Sequence, residues 1–248
     1  MLGFVRNALN YLRYFFGERQ FVIVSGADAS HYLSLVNFIR SVKAHEPQAE
    51  LRIVDLGMNA AQAATIRSMV YERNFKSFDY PKYPAWMNIK NAAGHYAWKP
   101  LIIWENIGCS QIPIIWMDAG TVLRKPLRSF YAKTKTHGFF SITSSGDCAK
   151  WTHEKTLEFF RLNLDWAKNK RNLTAGAVGF DPIHQKAFEL AKEWARLAQV
   201  KQAIAPQGSS RLNHRQDQSL LSILAHLHGF GPKKFIGSRE FETQQDVD

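Results

Sequence analysis

Cysteine is nearly absent: the 248 residues hold two, Cys109 and Cys148. Two isolated thiols exclude a disulfide framework and a four-ligand zinc site, and both are expected to be buried and reduced. Long apolar runs are also missing, and none reaches the roughly 20 residues that a bilayer-spanning helix needs. The start of the chain lacks the shape of a secretory leader, because Arg6, Asn7, Asn10 and Arg13 interrupt its apolar stretch. A cytoplasmic location is therefore the expectation. Acids are the third shortage, 21 against 32 lysines and arginines, which leaves a formal net charge of +11. Such a surface is drawn to polyanions: nucleic acid, anionic lipid or phosphorylated small molecules. Zinc-finger spacing, a basic region leading into heptads and an aromatic RNA-binding signature are all lacking, so no nucleic-acid partner is expected.

What is present is the composition of a folded domain, 46% hydrophobic and 21% charged. The length suits one α/β domain, taken as residues 19–240, preceded by an amphipathic helix (1–18) and followed by an acidic, polar tail (241–248) expected to fray. Within residues 2–16, Leu2, Val5, Leu9, Leu12 and Phe16 recur at spacings of three and four, while Arg6, Asn10 and Arg13 share another face. That helix either lies against an anionic membrane as a peripheral contact or packs on its own domain.

Strand and helix patterns alternate from residue 21 onwards. Apolar β-branched runs at 21–25, 51–54, 75–78 and 112–116 predict strands, with helices over 32–42, 60–73 and after Ala92. The second half is less regular, with strands expected at 138–142 and 176–180 and helices at 183–197 and 217–227. The fold class is α/β, a mixed and mainly parallel sheet flanked by helices. Residues 201–211, containing Pro206 and Gly208, are the best candidate for a mobile cover.

The most informative segment is the apolar run at 112–117, which ends in Asp118-Ala119-Gly120. An acid there emerges at the carboxyl end of a strand, the edge at which open α/β sheets bind ligands. Its small neighbours leave room for a diphosphate to approach the backbone, and a carboxylate can hold a divalent ion or a ribose hydroxyl. An Asp ending a strand also commonly caps the next turn. The same two readings apply to Asp55, and Asp217 can equally be a first-turn acid favoured by the helix dipole. Trp151, Thr152 and His153 are acceptor-contact candidates or simple packing residues.

Taken in order, Val22-Ile23-Val24-Ser25-Gly26, Val54-Asp55-Leu56-Gly57, Tyr96-Ala97-Trp98-Lys99-Pro100, Trp116-Met117-Asp118-Ala119-Gly120, the 173–180 segment and His214-Arg215-Gln216-Asp217-Gln218 resemble the GT-A glycosyltransferases. The likeness is to the glycogenin-like retaining branch and related uncharacterised nucleotide-diphospho-sugar transferases. It implies a GT-A (Rossmann-like) fold and transfer of a hexose from a uridine diphosphate sugar to a saccharide or lipid-linked acceptor hydroxyl. By the same resemblance Ser25, Gly26 and Asp55 meet the nucleoside, and Asp118, Ala119 and Gly120 meet the donor and, through Asp118, a manganese or magnesium ion. Thr174, Ala175 and Gly176 wall the donor sugar, Lys99 holds the diphosphate, and Asp217 and Gln218 sit at the reacting carbon. The chain departs from the family's Asp-x-Asp motif, since Gly120 replaces the second acid; His226, His228 and Lys233 are read as structural. A sugar nucleotidyltransferase and a non-catalytic nucleotide- or glycan-binding module are the alternatives.

Overall fold

The computed structural model of the chain describes residues 8–12, 14, 20–233 and 240–248. The first apolar run forms β1 (Val22–Ala27), buried along its whole length. Helix α1 (Tyr32–His45) returns across it, placing Leu35, Phe38, Ile39 and Val42 in the core, and β2 (Glu50–Asp55) then pairs parallel to β1. Helix α2 (Ala60–Met69) opens on a capping box in which Asn59 and Gln62 satisfy each other's free backbone N–H groups. Strand β3 (Phe75–Ser77) adds parallel to β2. Helix α3 (Trp98–Gly108) leads to β4 (Ile114–Met117), which pairs parallel to β1 on its other side. There follow β5 (Val122–Leu123), α4 (Arg128–His137), β6 (Phe139–Asp147), β7 (Arg171–Phe180), α5 (Gln185–Ala198), α6 (Asp217–Leu227) and β8 (Phe241–Glu242).

The main sheet has the order β3-β2-β1-β4-β7-β6. Strands β7 and β6 run antiparallel to their neighbours, so the sheet is mixed, as the sequence pattern predicts. Alternate residues of the central strands divide between its faces: Val22, Val24, Ile114 and Trp116 join α3, α5 and α6, while Ile23, Ile115 and Met117 join α1 and α4. Burial on both faces explains why these strands read as unbroken apolar runs. Among the described residues no helix is long and apolar enough to cross a membrane.

Three features differ from the sequence expectations. Residues 8–12 and 14 are helical, but the residues turned inward are Asn10, whose Nδ2 donates to Thr136 Oγ1 at 3.1 Å, and Tyr14, which bonds Glu46. Leu9 and Leu12 face outward; the rest of the expected 2–16 helix lies outside the described residues. The segment after Phe241, expected to fray, is held at both ends. Strand β8 pairs with β5, and the Asp248 carboxylate accepts the free N–H groups of Leu33 (2.6 Å) and Ser34 (3.0 Å) in the first turn of α1. Of the two cysteines, Cys148 is buried but Cys109 is exposed, because it caps the outer end of α3.

Candidate active site

A cleft of about 680 Å³ opens at the carboxyl ends of β1 and β4, the edge at which open α/β sheets bind ligands. At its floor is Lys99, delivered by the first turn of α3 and 4% exposed. Its Nζ lies 2.9 Å from Asp118 Oδ1 and 3.0 Å from Asp217 Oδ2. Burial opposes the charge on Lys99, but the two carboxylates overcome it and hold its pKa well above the ordinary lysine value. Asp118 stands just beyond β4, its Oδ1 also receiving the indole N–H of Trp116 at 2.7 Å. The rings of Tyr96, Trp98 and Trp116 surround the ammonium at 5.7 to 6.0 Å.

Asp217 opens α6 and is buried, and its Oδ2 meets Lys99 as an ion pair without an aligned hydrogen bond. Burial pushes this carboxyl up to about 6, with Lys99 pulling the other way. The residue before it, Gln216, has φ +43 and ψ −112, a costly conformation for a residue with a side chain and of the kind that gathers at functional sites. A second strained stretch lies across the cleft. Ala92 to Tyr96 all have φ between +50 and +59, one left-handed turn that costs roughly 1–2 kcal/mol per non-glycine residue. Only Gly94 is free of that cost, and it has no room for a side chain because Met87 O fills the space. This turn aims Tyr96, Trp98 and Lys99 into the cleft.

Position 120 explains its own glycine. A Cβ there would run into the carboxylate of Asp246, whose Cγ would be 2.8 Å away. The C-terminal segment therefore crosses the cleft at the end of β4, tied by Gln245 N–H to Gly120 O at 2.7 Å. A second acid thus reaches this place from the other end of the chain. Gly176, on β7, is confined less tightly, since a Cβ would stand 3.0 Å from Asp118 Oδ2. Thr121 lines the same region, and its buried hydroxyl has no hydrogen-bond partner among the described residues.

Gly26, Lys99, Asp118, Ala119, Gly120, Thr174, Ala175, Gly176, Asp217 and Gln218 all line this one cleft. Ser25 and Asp55 do not. Ser25 is buried in β1 one residue short of the opening, and Asp55 accepts the N–H groups of Gly57 (2.8 Å) and Met58 (2.7 Å), the turn role its position allows. Trp151, Thr152 and His153 also lie outside the lining, although Trp151 supports a residue inside it, Arg215. His226 and His228 bond Arg171 O and Glu193, as structural residues do. Sequence reasoning missed Asp28, His31, Arg211, Arg215 and Asp246, which line the cleft from loops and the C-terminal segment.

The mixed sheet, with its cleft at the strand ends, has the GT-A (Rossmann-like) fold. Mouse xyloside xylosyltransferase 1 in its apo form superposes with a TM-score of 0.52 at 10% identity, over 87% of this chain and 84% of that one. The galactosyltransferase LgtC, in complex with donor and acceptor sugar analogues, gives 0.47 at 20% identity over 83% of this chain and 70% of that one. An active-site mutant of LgtC gives 0.49 at 18% identity with the same coverages. Residues 5–104 match the family described as Protein of unknown function (DUF1647). No curated protein matches the chain.

Proposed function

We propose that the protein is a glycosyltransferase that moves a hexose, with retention, from a uridine diphosphate sugar to a hydroxyl of a saccharide or lipid-linked acceptor. The observation that carries this reading is the buried Lys99 held between Asp118 and Asp217 at the floor of a cleft of about 680 Å³. The end of β1, at Gly26, receives the nucleoside side of the donor, and Thr174 to Gly176 flank its sugar. During transfer the bond from the anomeric carbon to the diphosphate oxygen breaks. The acceptor oxygen bonds to that carbon from the same side, and its proton passes to the departing diphosphate. Lys99 supplies fixed positive charge where the leaving group gathers negative charge, an arrangement that needs no reorganisation at the moment of reaction. Asp217, paired with Lys99, faces the carbon as it becomes electron-poor, and Gln218 orients the sugar.

The carboxylates that would hold a divalent cation beside the diphosphate are Asp118 and Asp246. Among the described residues no three acids, histidines or cysteines gather to hold a metal, but Asp118 and Asp246 both line the cleft. Two carboxylates completed by phosphate oxygens are an ordinary donor set for magnesium or manganese. Such an ion would neutralise charge on the diphosphate. The basic composition and the exposed Leu9 and Leu12 support work at the cytoplasmic face of an anionic membrane.

The test is incubation with a panel of nucleotide sugars, with manganese or with chelator. Sugar transfer or hydrolysis from a uridine donor, abolished in Asp217→Asn, is expected. Tight nucleotide binding with no turnover under any condition would replace this reading with that of a binding module.

A further inference from the structure

Two further cations line the cleft, and among the described residues neither pairs with a carboxylate. Arg215 is half-buried with its guanidinium 4.0 Å from the centroid of the Trp151 ring. Its side chain makes no hydrogen bond or ion pair among the described residues, and the nearest acid in sequence, Asp217, belongs to Lys99. Arg211, which is exposed, lies over Tyr96 at 5.6 Å and likewise pairs with no acid among the described residues. A guanidinium laid on an aromatic face is fixed in its plane while the N–H groups along its edge stay free for an oxyanion.

The support beneath Arg215 is rigid. Trp151 Nε1 donates to Ser145 O at 2.7 Å. The backbone N–H of Arg215 reaches Ser219 Oγ at 2.8 Å and Trp151 O at 3.2 Å, so ring and arginine are held as one piece. Lys150 Nζ adds a further cation 5.0 Å from the same ring. The Trp151 face and the Arg215 backbone are thus in place before a ligand arrives, which favours binding. Charge balance points the same way. Lys99 already shares its charge with Asp118 and Asp217, so a substrate carrying two phosphates calls for cations besides it. A half-buried guanidinium with unused donors gains most from a partner that accepts several hydrogen bonds.

We propose that Arg211 and Arg215 form an anion subsite that holds a phosphate carried by a substrate. The inference rests on the cleft being the substrate site of that reading and adds the residues that hold a substrate's phosphate there. The phosphate comes either from the donor's diphosphate or from a phosphorylated acceptor.

Calorimetric titration of the full chain with uridine diphosphate, uridine and glucose 6-phosphate tests this in wild type, Arg211→Ala/Arg215→Ala and Arg211→Lys/Arg215→Lys. Far-UV circular dichroism checks that each variant is folded. The alanine pair is expected to weaken phosphate-bearing ligands at least tenfold and leave uridine unchanged, and the lysine pair to restore only part of the loss. Loss confined to uridine diphosphate assigns the subsite to the donor; loss confined to glucose 6-phosphate assigns it to the acceptor. A folded alanine pair that binds both as wild type does, or a wild type that binds neither, overturns the proposal. Arginine-dependent phosphate binding without any sugar transfer would instead sink the glycosyltransferase reading and leave the subsite standing.

Discussion

Removing Lys99 and removing Asp217 should have unequal consequences. Lys99→Met leaves two acids facing each other, one of them buried, and breaking a buried ion pair in this way costs about 3–5 kcal/mol. Asp217→Asn keeps Lys99 paired with Asp118 and should cost less, which urea unfolding of both variants will compare. His214 provides a pH signature. Its Nε2 meets Ile204 O at 2.8 Å, Nδ1 accepts from His153 N–H, and burial pushes its pKa down to about 4. The unfolded chain protonates this ring near 6.5 and the folded chain does not, so its contribution is complete above 6.5 and is lost as pH falls towards 4. Asp217 has the opposite sign: its raised pKa favours the fold below 3.8, and that contribution disappears as pH rises through about 6. His214→Gln should flatten the acid-side decline in the urea midpoint, and an unchanged slope would assign that decline to other groups. Lys99, Asp118 and Asp217 were legible because each sits in a short motif at a strand or helix end. Arg215 was not, because its role depends on Trp151, a ring brought beside it only by the fold.

At the scale of elements, the strands and helices with strong periodicity are where the sequence puts them, from β1 and α1 to α6. Short or polar elements escaped. Strand β5 is two residues long and α4 has mostly polar residues, so neither carries a clear apolar period. The left-handed turn at 92–96 escaped for a different reason, since alanine, histidine and tyrosine give no local sign of positive φ. Gly120 was legible only as a missing acid, whereas the fold brings the Asp246 carboxylate to the place where a side chain at 120 would begin. Gly120→Ala should displace the exposed Asp246 carboxylate at a cost below about 1 kcal/mol, since a surface side chain can rotate away. Hydrogen exchange should then quicken at the Leu33 and Ser34 amides, which Asp248 caps. Unchanged protection there would mean that the segment re-anchors around the new methyl.

For the whole molecule, the charge excess was the plainest signal and the least specific. It makes a concrete expectation at this scale: binding to vesicles containing phosphatidylserine that falls steeply between 50 and 300 mM salt, roughly in step with electrostatic screening. Binding that persists at high salt would shift the weight to the exposed Leu9 and Leu12. The C-terminal segment closes the molecule's circuit, with β8 zipped to β5 at one end, Asp248 latched on α1 at the other, and Asp246 between them at the cleft. A guest needing the space that Asp246 fills must tug on both fastenings. A fluorescent label on exposed Val247 would therefore register occupancy of the cavity without touching its chemistry.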